Sequence, residues 1–281
     1  MPTQVAILGA GGNMGRRITG SLRDNPDYAL RLIEPGEAGA ARVAAQGLTV
    51  SQQVDGLAGA DVVIFAVPDR IVRDVTSEVV PALDPGTAIL FLDPAGVAAG
   101  RVPQRDDIQC FVTHPTHPPL YGLLDETDAE ARRDYWGGGK ARQAIVFATA
   151  WGEETTAGTV ERLAMDMFAP VTRSHRVTVE QMALLEPALT ETLTNGCVSL
   201  IYDGMNRVID AGVPAEATRD FLMGHLQIGI ALIFKQLDWK LSEGAQLALE
   251  QSRSKLFKDD WHKIFEPDEV MKSLRSITGG D

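Results

Sequence analysis

The segment Val5-Ala6-Ile7-Leu8-Gly9-Ala10-Gly11-Gly12-Asn13-Met14-Gly15-Arg16-Arg17-Ile18 constrains this chain more than any other. A short apolar run meets a glycine-rich turn, and a helix-compatible stretch follows the last glycine. That order is what a strand, a phosphate loop and a helix need to hold a dinucleotide pyrophosphate. Glycine turns sharply and leaves no Cβ between the loop amides and phosphate oxygens. The first helical turn then offers unpaired N–H groups and a positive dipole end. The frame is Gly9-x-x-Gly12-x-x-Gly15 with Gly11 in addition; Ala10 stands where the commoner G-x-G-x-x-G frame starts. Gly9, Gly11, Gly12, Asn13, Met14 and Gly15 are the expected nucleotide-binding residues of the loop.

The next apolar run, Ala29 to Ile33, closes on Glu34. An acid about 20 residues beyond such a loop hydrogen-bonds ribose hydroxyls and repels a 2′-phosphate. Glu34 therefore points to NAD rather than NADP. Asp61 to Asp69 (DVVIFAVPD) is a near-continuous apolar strand, as expected of a parallel strand buried on both faces. Its end, with Val67 and Pro68, lies at the carboxyl edge, where a doubly wound sheet meets its ligand. Thr87 to Leu92 is another strand, ending in Asp93-Pro94-Ala95-Gly96, and Gln109 to Thr113 and Val146 to Ala148 are two more. Strands alternating with helices predict an N-terminal Rossmann-type doubly wound parallel sheet. The connection Leu120 to Lys140, with its Gly137-Gly138-Gly139, reads as a long lid-like loop. Beyond Val177 the pattern is helical, with Gly212-Val213-Pro214 as a stop and restart. The expected division is a nucleotide-binding domain over residues 1–178 and an all-helical C-terminal domain for substrate and dimerisation over 179–281.

Two domains of ordinary size suit 281 residues. A formal charge of −12 without a basic stripe argues against nucleic acid. Cys110 and Cys197 make no metal-type spacing and fit a reduced, cytoplasmic setting. No secretory signal is visible, and the apolar run Ile228 to Phe234 is too short to span a bilayer.

The chemistry-bearing motif is Thr113-His114-Pro115-Thr116-His117-Pro118-Pro119 at a strand end. Two histidines stiffened by three prolines make a preorganised site for a metal ion or for proton transfer. On the first long helix Glu186 interrupts the stripe Met182, Leu185, Leu189 and Leu193. Pro187 disfavours a helical Glu186, so the helix begins or kinks there and turns a carboxylate inward. His225 sits in the stripe of the next helix, where a hydrogen-bonded core histidine is the equal alternative. Residues Phe221 to Phe234 are apolar on nearly all sides, which predicts burial against a second copy in a symmetric homodimer.

GAGGNMG, the strand ending VPD, LDPAG, the HP-containing turn and a following helical domain together resemble the 6-phosphogluconate dehydrogenase-like superfamily. Within it, HPTHPP with a Glu-Pro on the first long helix is most similar to the D-apionate oxidoisomerase family. The resemblance implies an NAD-dependent enzyme that oxidises a branched sugar acid and moves a carboxylate or acyl group by an acyloin-type rearrangement. For that chemistry a divalent ion, zinc or magnesium, would chelate ketone and carbinol oxygens. His114, Glu186 and His225 are the expected metal ligands; His114, His117 and Glu186 are the candidate catalytic residues, with His117 as reserve ligand or base. Two other readings stay open: a metal-free hydroxy-acid dehydrogenase with His114 as base, and a non-catalytic NAD-sensing regulatory protein.

Overall fold

The computed structural model describes residues 1–51, 56–121 and 126–280. Seven strands form one sheet in the order β2-β1-β3-β4-β5-β6-β7. They are β1 (Thr3–Leu8), β2 (Tyr28–Ile33), β3 (Val62–Phe65), β4 (Ala88–Phe91), β5 (Gln109–Pro115), β6 (Gln143–Trp151) and β7 (Val171–Arg176). All neighbours run parallel except β5 and β6, which are antiparallel.

Side chains alternate across the sheet with a period of two. Ile7, Ile64, Leu90 and Phe111 face one core with Ile18 and Leu22 of helix α1 (Asn13–Leu22) and Val160 and Leu163 of the helix Glu154–Met167. Ala6, Val63, Ile89 and Cys110 face the other, with Val72 and Val79 of the helix Val72–Val79 and Met182. Helices on both faces explain why β1, β3 and β4 read as unbroken apolar runs. The chain leaves β1 toward β2 on one side and returns past it to β3 on the other. A crevice forms at such a reversal, at the carboxyl ends of the strands.

β7 (VTRSHR) carries no apolar alternation and is exposed along most of its length, so the sequence pattern does not announce it. An edge strand needs only backbone pairing on one side. Here it pairs with β6, and the Arg176 guanidinium bonds Glu154 and Glu161.

The chain forms two compact units, Met1–Pro187 with Val270–Asp281, and Ala188–Glu269. The boundary expected at residue 178 thus differs on two counts. The helix Val179–Ala183, opened by a Thr178–Gln181 capping box, buries Val179 and Met182 in the sheet's second core. From Val270 onward the terminal helix Pro267–Ile277 also belongs to the first unit; Val270 and Leu274 are buried, and Arg101 donates to the Gly280 carbonyl. After Ala183 the helix widens into π-helical turns over Leu184–Thr194, with Pro187 inside. Proline has no N–H to give the preceding turn, which accounts for the break in α-helical bonding. The second unit continues with helices Asn195–Asp210, Ala215–Ile233 and Glu243–Leu256. No helix among the described residues is long and apolar enough to cross a membrane.

Candidate active site

The glycines of the loop divide into two kinds. A Cβ on Gly9 would lie 2.3 Å from the Ala66 carbonyl oxygen, on Gly11 2.4 Å from Gly39, and on Gly15 2.3 Å from the Gly9 oxygen. These three are required by chain-to-chain packing, and Gly9 also has φ +79°. Gly12 is different: its nearest neighbour would be 3.2 Å away, and it lines a cavity. The cradle that a phosphate needs is open at Gly12, at the N-terminus of α1, so the residues fit a dinucleotide. Asn13, Met14, Val67 and Pro68 line the same cavity.

Glu34, at the end of β2, accepts hydrogen bonds from the amides of Gly11 (2.9 Å) and Gly36 (3.1 Å). Arg42 donates to the Gly11 carbonyl at 2.7 Å. An acid and a base thus flank the loop on the side where an adenosine ribose sits in this fold. Removing the charge while keeping the acceptor tests the acid. For Glu34→Gln, the kcat/KM preference for NAD over NADP should fall by about tenfold, the 1–2 kcal/mol of one partly screened repulsion. An unchanged ratio would remove Glu34 from the ribose.

The cavity has a volume of about 350 Å³ and continues along the carboxyl edge past Asp69, Asp93, His114 and His117 to Trp136. His114 ends β5, and its Nδ1 lies 2.8 Å from the Leu92 carbonyl oxygen. A carbonyl only accepts, so Nδ1 carries the proton and Nε2 keeps a lone pair in the neutral ring. That Nε2 is 3.4 Å from a carboxylate oxygen of Glu186, on the π-helical turn. The expectation that Glu-Pro turns a carboxylate inward matches its 18% side-chain exposure.

Asp93 completes the group: one ligand atom each from Asp93, His114 and Glu186 lie within 4.8 Å of one another. Asp93 follows β4, with one oxygen held by the Ala95 amide at 2.7 Å. Burial, and then the charge of Asp69, pushes its carboxyl up to about 7. Asp69 is raised as well, chiefly by burial. Lone pairs from two carboxylates and an imidazole facing one point repel unless a proton or cation lies among them.

Asp93, which the sequence reading did not name as a ligand, is the third member of the group. His225 lies in the second unit, exposed, with its ring stacked on Phe221 at 4.0 Å and its Nδ1 bonded to the Phe221 carbonyl. Asp93 and Asp69 were visible as acids just past apolar parallel strands, at the ligand edge of the sheet. His117 carries its Nδ1 2.8 Å from the Trp136 carbonyl oxygen, and the two rings are 4.9 Å apart. Of the loop read as Leu120 to Lys140, residues 122–125 lie outside the described residues. Its described remainder is tied down by Asp134 and by Lys140, which bridges Asp128 and Glu130.

Comparison with known proteins then identifies the chain. Residues 2–121 match the acetohydroxy acid isomeroreductase NADPH-binding domain, and residues 124–278 the C-terminal domain of decarboxylating phosphogluconate dehydrogenase. D-apionate oxidoisomerase of Cupriavidus necator is 41% identical over 279 residues, covering 99% of this chain and all of that one. The chain belongs to the D-apionate oxidoisomerase family. The Rhizobium rhizogenes member is 42% identical over 277 residues, covering 98% of this chain and 100% of its own. A crystal structure of a Cupriavidus necator semialdehyde dehydrogenase NAD-binding protein in complex with calcium and NAD superposes with a TM-score of 0.95. That protein is 41% identical, over 99% of this chain and 100% of its own. The fold is the Rossmann-type nucleotide-binding domain and helical C-terminal region that the motifs imply.

Proposed function

We propose that this protein is an NAD-dependent oxidoisomerase acting on D-apionate or a closely similar branched sugar acid. The observation that carries the reading is the convergence of Asp93, His114 and Glu186, with Asp93 and His114 lining a cavity that also takes in Gly12. Family membership supports the substrate, and the neighbour's complex with calcium and NAD supports both kinds of ligand.

His114 Nε2, Asp93 and Glu186 would hold a divalent ion. Their separations suit ligands at about 2.0–2.6 Å from a shared centre, and three protein ligands leave positions open. When bound, such an ion supplies Lewis-acid polarisation of the substrate oxygens. Gly12 would cradle the pyrophosphate, and Val67 and Pro68 would flank the nicotinamide end of the cofactor at the sheet edge. NAD, when bound, would supply the hydride acceptor for the alcohol carbon, and His117 Nε2 would accept the hydroxyl proton. The cavity walls keep the resulting ketone and its neighbouring carbinol together while the carboxylate or acyl group migrates. NAD reduction with D-apionate, with and without chelator and with the product identified by NMR, tests the reading. Oxidation without rearrangement that survives exhaustive chelation would leave only the metal-free dehydrogenase.

The second unit supports a homodimer. Among its described residues only Ala188, Thr218 and Ala231 are buried, whereas Tyr202, Phe221, Phe234 and Trp239 are 60–76% exposed. A helical unit with so little core of its own requires a partner surface. Sedimentation at micromolar concentration should give twice the chain mass. A monomer there would reject the dimer.

A further inference from the structure

His117 is held against its own backbone preference. Its φ is +57°, in the left-handed region, and Pro118 pushes the preceding residue toward extended backbone. Something in the fold must hold it there. Thr116 Oγ1 donates to the His117 carbonyl and the His114 ring lies edge-on at 6.2 Å, but the closest ring contact and the hydrogen bond of the imidazole both run to Trp136. Its carbonyl oxygen is 2.8 Å from His117 Nδ1, and its indole packs 4.9 Å from the imidazole. Both side chains line the cavity.

Trp136 is in turn fixed by the turn that carries it. Asp134 accepts from the amides of Gly137 (2.9 Å), Gly139 (3.0 Å) and Ala141 (3.2 Å). The turn is seated tightly: a Cβ on Gly137 would meet Gln143 at 2.8 Å, and one on Gly138 would meet Arg17 of α1 at 2.5 Å. On the other side, Thr116 exchanges hydrogen bonds with Ala144 at the start of β6. The histidine and the carbonyl that meets it are thus anchored separately, and their meeting is imposed by both anchors.

We infer that Trp136 is a positioning residue for His117: its carbonyl accepts a hydrogen bond from Nδ1–H, which keeps the proton on Nδ1, makes Nε2 the basic nitrogen and aims it into the cavity. The inference rests on the reading of His117 as the base. A free imidazole in water divides between two tautomers, and only one of them presents a lone pair at Nε2. Asp134 acts one step further out, by holding the Trp136 carbonyl in place.

The chain has five histidines, so the ring nitrogens of 15N-histidine-labelled full-length protein are assignable. At pH 8, His117 of the wild type should give a protonated-type Nδ1 and a pyridine-type Nε2. Asp134→Ala should mix the tautomers and lower kcat by about tenfold or more, with KM for NAD unchanged within twofold. Asp134→Asn, which keeps one acceptor oxygen, should fall between the two, and it serves if the alanine variant does not fold. Trp136→Phe keeps the carbonyl and should keep the tautomer. An Nε2-protonated His117 in the wild type, or a fixed tautomer in both Asp134 variants, would overturn the inference alone. Retained kcat in His117→Ala would overturn the base reading and the inference with it.

Discussion

Glu186→Gln is expected to lower kcat for the sugar acid by about a thousandfold or more, roughly 4 kcal/mol of transition-state stabilisation. NAD affinity should stay within about twofold. Glutamine has nearly the volume of glutamate and keeps one acceptor oxygen, so the packing of the π-helical turn is preserved. What is lost is the negative charge beside His114 Nε2, 3.4 Å away, and with it one of three anchors for a cation. The proposed nucleotide contacts, Gly12 and Glu34, lie past the ends of other strands, which is why binding of NAD should not follow. A purely structural Glu186–His114 pair makes the opposite forecast. Half-buried pairs of this kind contribute modestly, so the variant would melt a few degrees lower and keep its kcat. Measuring kcat, NAD affinity and Tm on one preparation separates the two. Unchanged turnover with a lowered Tm would return Glu186 to a structural role.

The glycine loop, the strands β1 to β5 and the histidine turn were legible because their physics is local. A strand covered on both faces must be apolar throughout, and a phosphate loop must be glycine-rich wherever it occurs. β7 escaped because an exposed edge strand needs neither property; VTRSHR is held by backbone pairing with β6 and by polar side chains, Thr172 on the Gln143 carbonyl and Arg176 on Glu154 and Glu161. The stripe that carries His225 shows a related gap between pattern and structure. Helical periodicity locates a stripe but not what covers it, and in the second unit that stripe is exposed in the single chain. Asp93, within LDPAG, carries no sign of its role in the sequence alone. Its place after β4 puts it at the same sheet edge as His114, but only register shows them to be neighbours: Phe91 pairs with Val112, two residues before His114. Trp136 had no signal, since the loop that carries it has no periodicity. Its position depends on one carboxylate, Asp134, folding a glycine-rich turn.

Asp93 also makes the stability of the metal-free protein depend on pH in a direction that most carboxylates do not. Its folded-state carboxyl is pushed up to about 7 by burial and by Asp69, against an ordinary value of 3.8. The folded protein therefore holds a proton that the unfolded chain releases. The stabilisation is complete below about pH 4 and is lost as pH rises through 7. A shift of that size corresponds to on the order of 4 kcal/mol. In a chain of this length that is roughly 8–16 °C in Tm. The chelated wild type should accordingly lose Tm between pH 5 and 8 relative to Asp93→Asn, which cannot ionise and keeps an oxygen for the Ala95 amide. The difference between the two melting curves isolates Asp93, together with the titration of Asp69 that is linked to it, from the other groups that titrate in the same range. A divalent cation should restore Tm at pH 8 in the wild type, because it takes the proton's place among Asp93, His114 and Glu186. It should do much less for Asp93→Asn, which has lost a charged ligand. Parallel curves for wild type and variant from pH 5 to 8 would mean that Asp93 is solvated and ionised throughout. A cation shift of equal size in both proteins would place the ion elsewhere.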